Sequence, residues 1–322
     1  MPIVDVVVPN YQYGRYLREC ISSILDQGVS DLRILIIDNA STDDSVDIAR
    51  QLAAKDSRIE VRARPQNLGF QASVNEGIDW ATSEYFILVC ADDLLPTGAL
   101  SRAIEIMEKH PEVSFAYGKY AQYRQGDDYP TIQRSTNAEW RIRTGADYIK
   151  RCCREGMDAT MSPLVRTRIH KKVGHYRPEL QFTDDMEVLL RLAYFGGVAE
   201  TGDIQAVQRL HETNVSQTTW KDPVRRLLEQ VAVADSFFRN EGRDLPEAKS
   251  LHAAARRGTG AGAYWAGVAQ FLRGDYRTGF NLLKLAVQLN PRAAIIPPLN
   301  HLARFNQPLT RFTRIVFRGR LG

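Results

Sequence analysis

The chain has 322 residues, of which 44% are hydrophobic and 25% charged, with a formal net charge of +4. These values are typical of an ordinary folded protein with one large and one small domain, or with two medium domains. No run approaches the roughly 18 to 20 apolar residues that span a bilayer, so no transmembrane helix is predicted. The N-terminal residues enter a strand-like segment directly, which predicts no signal peptide.

The four cysteines have neither the spacing of a disulfide framework nor that of a zinc site. They are Cys20, Cys90, Cys152 and Cys153. We therefore expect the cysteines to be reduced thiols and the protein to lie in the cytoplasm, either free or at the inner face of the membrane.

Apolar runs and helical patterns alternate over about the first 110 residues. The predicted strands are Val4–Val8, Leu32–Ile37, Ile59–Val61 and Tyr85–Val89. Helical spacing follows each strand: between Tyr16 and Leu25, after a capping Ser41, from about Ala72, and from about Thr97 to Lys109. Strands that alternate with helices predict an α/β fold with a mostly parallel, doubly wound sheet.

The pattern weakens further along the chain. Gly118 to about Asn137 is predicted to be a long loop, and a helix follows near Thr144–Arg151. Asp184–Phe195 has the apolar stripe of a helix, and Ala206–Leu210 is strand-like. Beyond Trp220 the chain is predicted to be all helical.

Polar residues follow each of the first four predicted strands. They are Pro9-Asn10-Tyr11, Asp38-Asn39, Arg64–Gly69 and Cys90–Asp93. In open α/β sheets the ligand binds at the carboxyl ends of the strands. These four segments are therefore expected to line one crevice.

Several of these residues have both a chemical and a purely structural interpretation. Asp92 and Asp93 suit a hard divalent cation on a diphosphate, or else a turn before the next helix. Asp38 suits hydrogen bonds from a ribose or a base, or an Asx turn. Asn67 and Gly69 allow close approach of the backbone to a ligand, or form only a tight turn.

Two later segments carry further candidates. Asp184 and Glu187 resemble a helix-capping pair, which leaves Asp185 without a structural task. An ionised carboxylate near a helix N-terminus is a usable general base. His211 follows a predicted strand and could bind a metal or donate a hydrogen bond to a phosphate, although a lone histidine more often does neither.

The order of these segments resembles the family 2 glycosyltransferases. The resemblance covers roughly residues 3 to 216 and rests on six segments in the family's order: PNYQYGRYLRECISSILDQ, IIDNASTDDS, RPQNLGF, CADDLL, FTDDMEVLLRLA and QRLHETNVS. It implies the GT-A fold and inverting transfer from a nucleotide-diphosphate sugar that requires Mn²⁺ or Mg²⁺.

The resemblance also implies a role for individual residues. The nucleotide sugar is expected to be held by Pro9, Tyr11, Asp38, Asn67, Gly69, Ala91, Asp92 and Asp93. Asp92 and His211 are the implied metal ligands, and Asp185 is the implied general base. Three departures from the family pattern stand out: Cys90 replaces an aspartate of the metal-binding signature, Asn39 replaces a frequent aspartate, and Asp184 replaces a glutamate.

We therefore expect a catalytic domain over 1–220, with the donor side in about 1–118 and the acceptor side in about 119–220. The helical region 221–322 contains a hairpin at 252–291 that resembles one tetratricopeptide unit. Such a unit does not bury its own faces, so it is expected to pack on the catalytic domain or on a second subunit in a homodimer.

The end of the chain is strongly basic. No acidic residue follows Asp275, and eight basic residues do: Arg277, Lys284, Arg292, Arg304, Arg311, Arg314, Arg318 and Arg320. Residues 309–321 suit a basic amphipathic helix on an anionic membrane, or a docked helix with solvated arginines.

The expected partners are a UDP- or dTDP-sugar donor and a glycan or lipid-linked acceptor in surface polysaccharide or glycolipid assembly, and not a nucleic acid. Two rivals stay open. A nucleotidyltransferase would begin with a glycine-rich basic loop, which is missing after the first strand. A non-catalytic scaffold would recruit partners through the helical region.

Overall fold

The computed structural model describes residues 3–124, 126–127, 129–130, 139–157, 160–180, 183–214 and 222–302, without the side chains of Asp184, Asn300 and Leu302. The chain divides into two compact units. The first consists of residues 1–148, 159–178 and 192–212, and the second of residues 149–158, 179–191 and 213–322. The functional division at residue 220 stays a prediction.

The first unit is built on one mixed sheet. Its strands are β1 (Val4–Asn10), β2 (Leu32–Asp38), β3 (Ile59–Ala63), β4 (Tyr85–Leu88), β5 (Val113–Arg124), β6 (Trp140–Arg143), β7 (Leu164–Arg166) and β8 (Gly197–Leu210). Their order in the sheet is β3-β2-β1-β4-β7-β5-β8-β6. Neighbours among β1 to β4 run parallel, as do β5 and β8, whereas β7 and β6 pair antiparallel with their neighbours.

A helix follows each of the first four strands, as the alternating pattern predicts, and three further helices lie between β6 and β8. They are α1 (Gly14–Leu25), α2 (Ser45–Ala53), α3 (Phe70–Trp80), α4 (Ala99–Lys109), α5 (Gly145–Glu155), α6 (Thr167–Val173) and α7 (Asp184–Phe195). Every residue of β1 is buried, because helices cover the sheet. At Gly77 a Cβ atom would lie 2.6 Å from Val7 Cγ1, so α3 packs closely on β1 only because glycine is there.

Two expectations about local structure are wrong, and a third, the strand at Ala206–Leu210, is confirmed but too short. Residues 118–124 are not a loop but the outer half of β5, which pairs with β8 from Lys119–Ile204 to Arg124–Leu210. Exposed and partly buried residues alternate along this part of β5, so its composition is polar and its sequence lacks the apolar run that predicts a buried strand. For the same reason β8 begins at Gly197, well before Ala206. Ser41 does not cap α2, which begins at Ser45, since its hydroxyl is used elsewhere.

The described part of the second unit beyond residue 221 is helical, as predicted. Its helices are α8 (Pro223–Arg239), α9 (Ala248–Leu272), α10 (Tyr276–Leu289) and α11 (Leu299–Leu302), with short 3₁₀ helices at Glu241–Asp244 and Pro291–Ala294. The predicted hairpin is α9 and α10, and Gly274 turns between them at φ +87°. Among the described residues, no helix combines the length and apolar character that crossing a membrane requires.

Candidate active site

The carboxyl ends of β1 and β2 are joined by a network around Asp38, which is fully buried. Asn10 Nδ2 donates to Asp38 Oδ1 at 2.7 Å, and the Ser41 backbone N–H donates to Asp38 Oδ2 at 2.9 Å. Asp38 therefore also accepts from the loop that follows it, three residues on. Asn10 Oδ1 is buried and has no hydrogen-bond partner among the described residues. It is an acceptor that a ligand donor can satisfy.

Asn39 links β2 to the loop that precedes α3. Its Nδ2 donates to Asn67 Oδ1 at 2.6 Å, and its Oδ1 accepts from the Leu68 N–H at 2.9 Å. Asn67 Oδ1 also accepts from the Gly69 N–H at 2.8 Å, and Gly69 has φ +86°. An aspartate at 39 lacks the donating half of this arrangement, so Asn39 ties the loop to the sheet edge.

Two non-glycine residues at this edge have a left-handed backbone. Gln12 has φ +62° and Ala40 has φ +63°. The Gln12 N–H donates to Ser41 Oγ at 2.9 Å, which helps to hold the loops after β1 and β2 together. Such strained residues cluster at ligand-binding sites, where the surrounding structure holds them.

Asp92 and His211 meet at the end of β4. His211 Nε2 lies 3.1 Å from Asp92 Oδ2, and the imidazole side chain is almost fully buried. Tyr16 stacks on the imidazole with ring centroids 4.7 Å apart, and Tyr13 meets it edge-on at 5.3 Å. The two aromatic rings therefore hold His211 against the carboxylate.

Asp93 has a different environment from its neighbour. It is buried, and its Oδ1 accepts from the Arg209 backbone N–H at 3.1 Å. Burial and the adjacent Asp92 hold the pKa of Asp93 well above its usual range, against the opposing effect of Arg209. Asp93 thus faces β8, whereas Asp92 faces His211.

Arg209 organises this corner of the first unit. Its Nε donates to the Asp92 carbonyl at 3.1 Å, and its guanidinium pairs with Glu19. The guanidinium carbon also lies 4.9 Å from the Tyr16 ring centroid and 5.4 Å from that of Tyr123. No motif in the sequence predicts this role of Arg209. Its place two residues before His211, on a strand that ends at the site, was the available signal.

Several acidic groups of the site lie close to Tyr13. Burial and then Asp92, Cys90 and Asp93 raise the pKa of Tyr13 far above its usual value. One ligand atom from each of Cys90, Asp92 and Asp93 lies within 4.8 Å of the others. Two carboxylates suit a hard divalent cation, and Mg²⁺-type sites need only one or two of them beside substrate phosphates. The residues present fit a metal bound through Asp92, although the Cys90 thiol is a softer ligand than an aspartate.

Three further predicted residues have different environments. Pro9 is buried in β1, where its carbonyl accepts from the Ala91 N–H at 3.4 Å. Tyr11 is 45% exposed. Asp185 belongs to the second unit, is exposed in the first turn of α7, and accepts from the Met186 N–H at 2.7 Å.

Glu187 is not an exposed capping group. It is fully buried in the second unit, where it accepts from Arg191 Nε at 2.7 Å and from Ser236 Oγ at 3.3 Å. Glu187 is therefore part of the packing of the helix, whereas Asp185 is an exposed carboxylate in its first turn.

A family model described as glycosyl transferase family 2 matches residues 5–174, more than half of the chain. The chain belongs to glycosyltransferase family 2. Similar proteins include the glycosyltransferase GlyG of Streptococcus pneumoniae, 32% identical over 126 residues, which are 39% of this chain and 41% of GlyG. An uncharacterised glycosyltransferase of Haemophilus influenzae is 30% identical over 139 residues, 39% of this chain and 43% of its own length. The chain thus spans less than half of these two relatives.

Solved structures confirm the predicted GT-A fold. S. aureus TarS superimposes with a TM-score of 0.63 at 15% identity, covering 99% of this chain and 91% of that chain. TarS in complex with UDP-GlcNAc has a TM-score of 0.62 at 16% identity, with 98% and 82% covered. The mannosyltransferase PcManGT of Pyrobaculum calidifontis, in complex with GDP-Man and Mn²⁺, has a TM-score of 0.60 at 17% identity, with 98% and 84% covered.

Proposed function

We propose that this family 2 protein is an inverting glycosyltransferase that moves a sugar from a nucleotide-diphosphate donor to an acceptor hydroxyl. The observation that carries the proposal is the contact of Asp92 with His211 at the carboxyl edge of the sheet. Ligands of open α/β sheets bind at this edge. A family 2 motif in the sequence and a carboxylate–imidazole pair in the structure therefore coincide.

The donor is held by residues from four strand ends. The nucleotide contacts Pro9, Tyr11, Asp38, Asn67 and Gly69, and the diphosphate lies near Ala91, Asp92 and Asp93. Support comes from the strained loops after β1 and β2 and from the unpaired Asn10 Oδ1. Donors of the UDP or dTDP type are our first choice, with a hexose as the transferred sugar.

Asp92 and His211 hold a divalent cation, Mn²⁺ or Mg²⁺. When bound, this cation stabilises negative charge on the leaving diphosphate. The imidazole, fixed between Tyr13 and Tyr16, keeps the Asp92 carboxylate oriented. Asp93, which is bonded to the Arg209 N–H, fixes the turn that presents Asp92.

Asp185 is the general base. It is an exposed carboxylate in the first turn of a helix, a position that favours its ionised form. It takes the proton of the acceptor hydroxyl, whose oxygen attacks the anomeric carbon from the face opposite the diphosphate. The new glycosidic bond forms as the bond to the diphosphate oxygen breaks, and the anomeric configuration inverts.

The acceptor is a glycan or a lipid-linked sugar used in surface polysaccharide or glycolipid assembly at the cytoplasmic face of a membrane. The basic composition after Asp275 supports this choice. Residues 309–321, for which membrane contact is also proposed, lie outside the described residues, and a homodimer likewise stays a proposal.

The experiment is a donor screen with the purified full chain. UDP-, dTDP- and GDP-sugars are incubated with Mn²⁺, with Mg²⁺ or with EDTA. We expect one donor class to raise the melting temperature and to be hydrolysed slowly when metal is present, with NMR detecting the inverted anomer. A chain that neither binds nor hydrolyses any donor in the presence of metal would instead be the non-catalytic scaffold.

A further inference from the structure

The outer face of α10 carries a line of exposed apolar side chains. Tyr276 is 66% exposed, Phe280 64% and Val287 38%, and Leu283 is partly exposed. At 100° per residue, these four positions fall within about 60° of one another on the helix surface. Isolated exposed apolar residues need no explanation, but a line of them along one helix does.

This line is not needed for the core of the second unit. The opposite face of α10 supplies Leu282, Leu285, Ala286 and Leu289 to a cluster with Leu227 and Val231 of α8 and Ala263 of α9. The helix therefore packs through one face and exposes a second apolar face. Ile295, 86% exposed, Ile296 and Leu299 extend the apolar surface beyond α10.

Basic residues lie beside the apolar line. Arg277 and Lys284 are exposed and fall about a quarter turn from Tyr276 on the helix surface. Arg292 is exposed in the following 3₁₀ helix. No acidic residue follows Asp275 anywhere in the sequence. A helix with an apolar line, adjacent cations and no acidic residue after its N-cap Asp275 has the pattern of a helix that lies in the interface of an anionic membrane.

Self-association explains this pattern less well. In a two-fold dimer the same patch meets itself, so Arg277 and Lys284 of one copy would approach their equivalents in the other. The segment from 276 onward offers no carboxylate to pair with them. A bilayer with anionic headgroups supplies both the apolar layer and the negative charge.

We propose that the face of α10 formed by Tyr276, Phe280, Val287, Arg277 and Lys284, together with Ile295 and Ile296, binds an anionic lipid surface. The aromatic and aliphatic side chains enter the boundary between headgroups and acyl chains, while the two cations contact the headgroups. The surface is distinct from residues 309–321. It needs no catalytic activity, so its test is independent of the proposed function.

The test is co-sedimentation of the full chain with vesicles of phosphatidylcholine alone, and of the same lipid with about one third phosphatidylglycerol. Wild-type protein is expected to bind the anionic vesicles, with binding that weakens as salt rises from about 0.15 to 0.5 M. The double variant Arg277→Gln/Lys284→Gln should bind about thirtyfold more weakly, since each basic residue contributes ~1 kcal/mol at such a surface. The affinity of the variant Tyr276→Ser/Phe280→Ser for the anionic vesicles should be at least about tenfold lower than that of wild type.

Matched controls come from the same unit. Leu228→Ser removes an exposed apolar side chain from α8, and Lys249→Gln removes an exposed cation from α9. Both should bind as wild type does, and all variants should retain their thermal unfolding. Wild-type affinity in the two α10 variants would overturn the proposal. A dimer that dissociates in these variants while vesicle binding stays unchanged would also overturn it, and would make the face a subunit interface.

Discussion

Buried aspartates lie at both ends of the parallel strands, but their environments shift the carboxyl pKa in opposite directions. At the amino end, Asp5 is fully buried and accepts five hydrogen bonds, two from Arg33, one from Thr82 and two from Ser83. Although burial alone raises its pKa, these bonds hold the pKa of Asp5 below its usual range. At the carboxyl end, Asp92 and Asp93 are neighbours, and the pKa of Asp93 is raised.

The difference separates a structural carboxylate from a candidate functional pair. Asp5 is ionised and fully compensated, so it contributes to folding and offers nothing to a ligand. Asp92 and Asp93 are instead adjacent carboxyl groups, one in contact with His211 and the other with the Arg209 backbone N–H. A second nearby carboxylate is unfavourable unless a cation joins it, which is why this end is the one that suits a metal and a diphosphate.

The largest effect is expected from Asp185→Asn. Removal of a general base should lower the rate of sugar transfer by roughly 10²- to 10⁴-fold, while the dissociation constant of the donor stays near that of wild type. Single-turnover transfer and calorimetry measure the two quantities separately. Asp244→Asn, at another exposed carboxylate of the second unit, is the control and should retain full activity. If Asp185→Asn turned over at the wild-type rate, Asp185 would not be the general base.

Asp5→Asn should affect stability. The substitution leaves Arg33 and several buried donors without their anion, and should lower the free energy of unfolding at pH 7 by about 3 kcal/mol. Because the folded-state pKa is depressed, this contribution is present above about pH 4 and is lost as the pH falls through the folded pKa. Urea unfolding at pH 7 and pH 3 should therefore show a difference from wild type that shrinks in acid.

The control for Asp5 is the more exposed pair of Asp56 and Arg58. Hydrogen bonds from Arg58 also lower the pKa of Asp56. Because this pair is more exposed, Asp56→Asn should change the free energy of unfolding by less than about 1 kcal/mol. An equal loss in both variants would mean that burial does not distinguish Asp5.

The smallest effect is expected at Cys90. Cys90→Ser keeps a small side chain near Asp92, and should change metal-dependent donor binding by no more than a few fold. Cys90→Asp restores the family signature and adds a third carboxylate. Without metal, this variant should have a lower melting temperature than wild type, and Mn²⁺ should raise its melting temperature by more than it raises that of wild type. If Cys90→Ser abolished donor binding, the thiol would be an essential ligand.

The sequence predicted the parallel half of the sheet well because Val4–Val8 and Leu32–Ile37 are apolar runs buried on both faces. It failed where burial is one-sided, as along the outer parts of β5 and β8. It brought Asp92 and His211 together only through the family resemblance, since 119 residues separate them. The support from Tyr13, Tyr16 and Arg209 depends on side-chain packing, which no local pattern encodes.

Asp92 is proposed to bind the donor diphosphate through a divalent cation. Calorimetry of UDP, dTDP and GDP binding to wild type, Asp92→Asn and the surface control Asp79→Asn, each with Mn²⁺ or with EDTA, tests it most directly. We predict that wild type and Asp79→Asn bind one nucleotide at least about tenfold more tightly with Mn²⁺, and that Asp92→Asn loses this difference. Unchanged Mn²⁺-dependent affinity in Asp92→Asn would contradict the account.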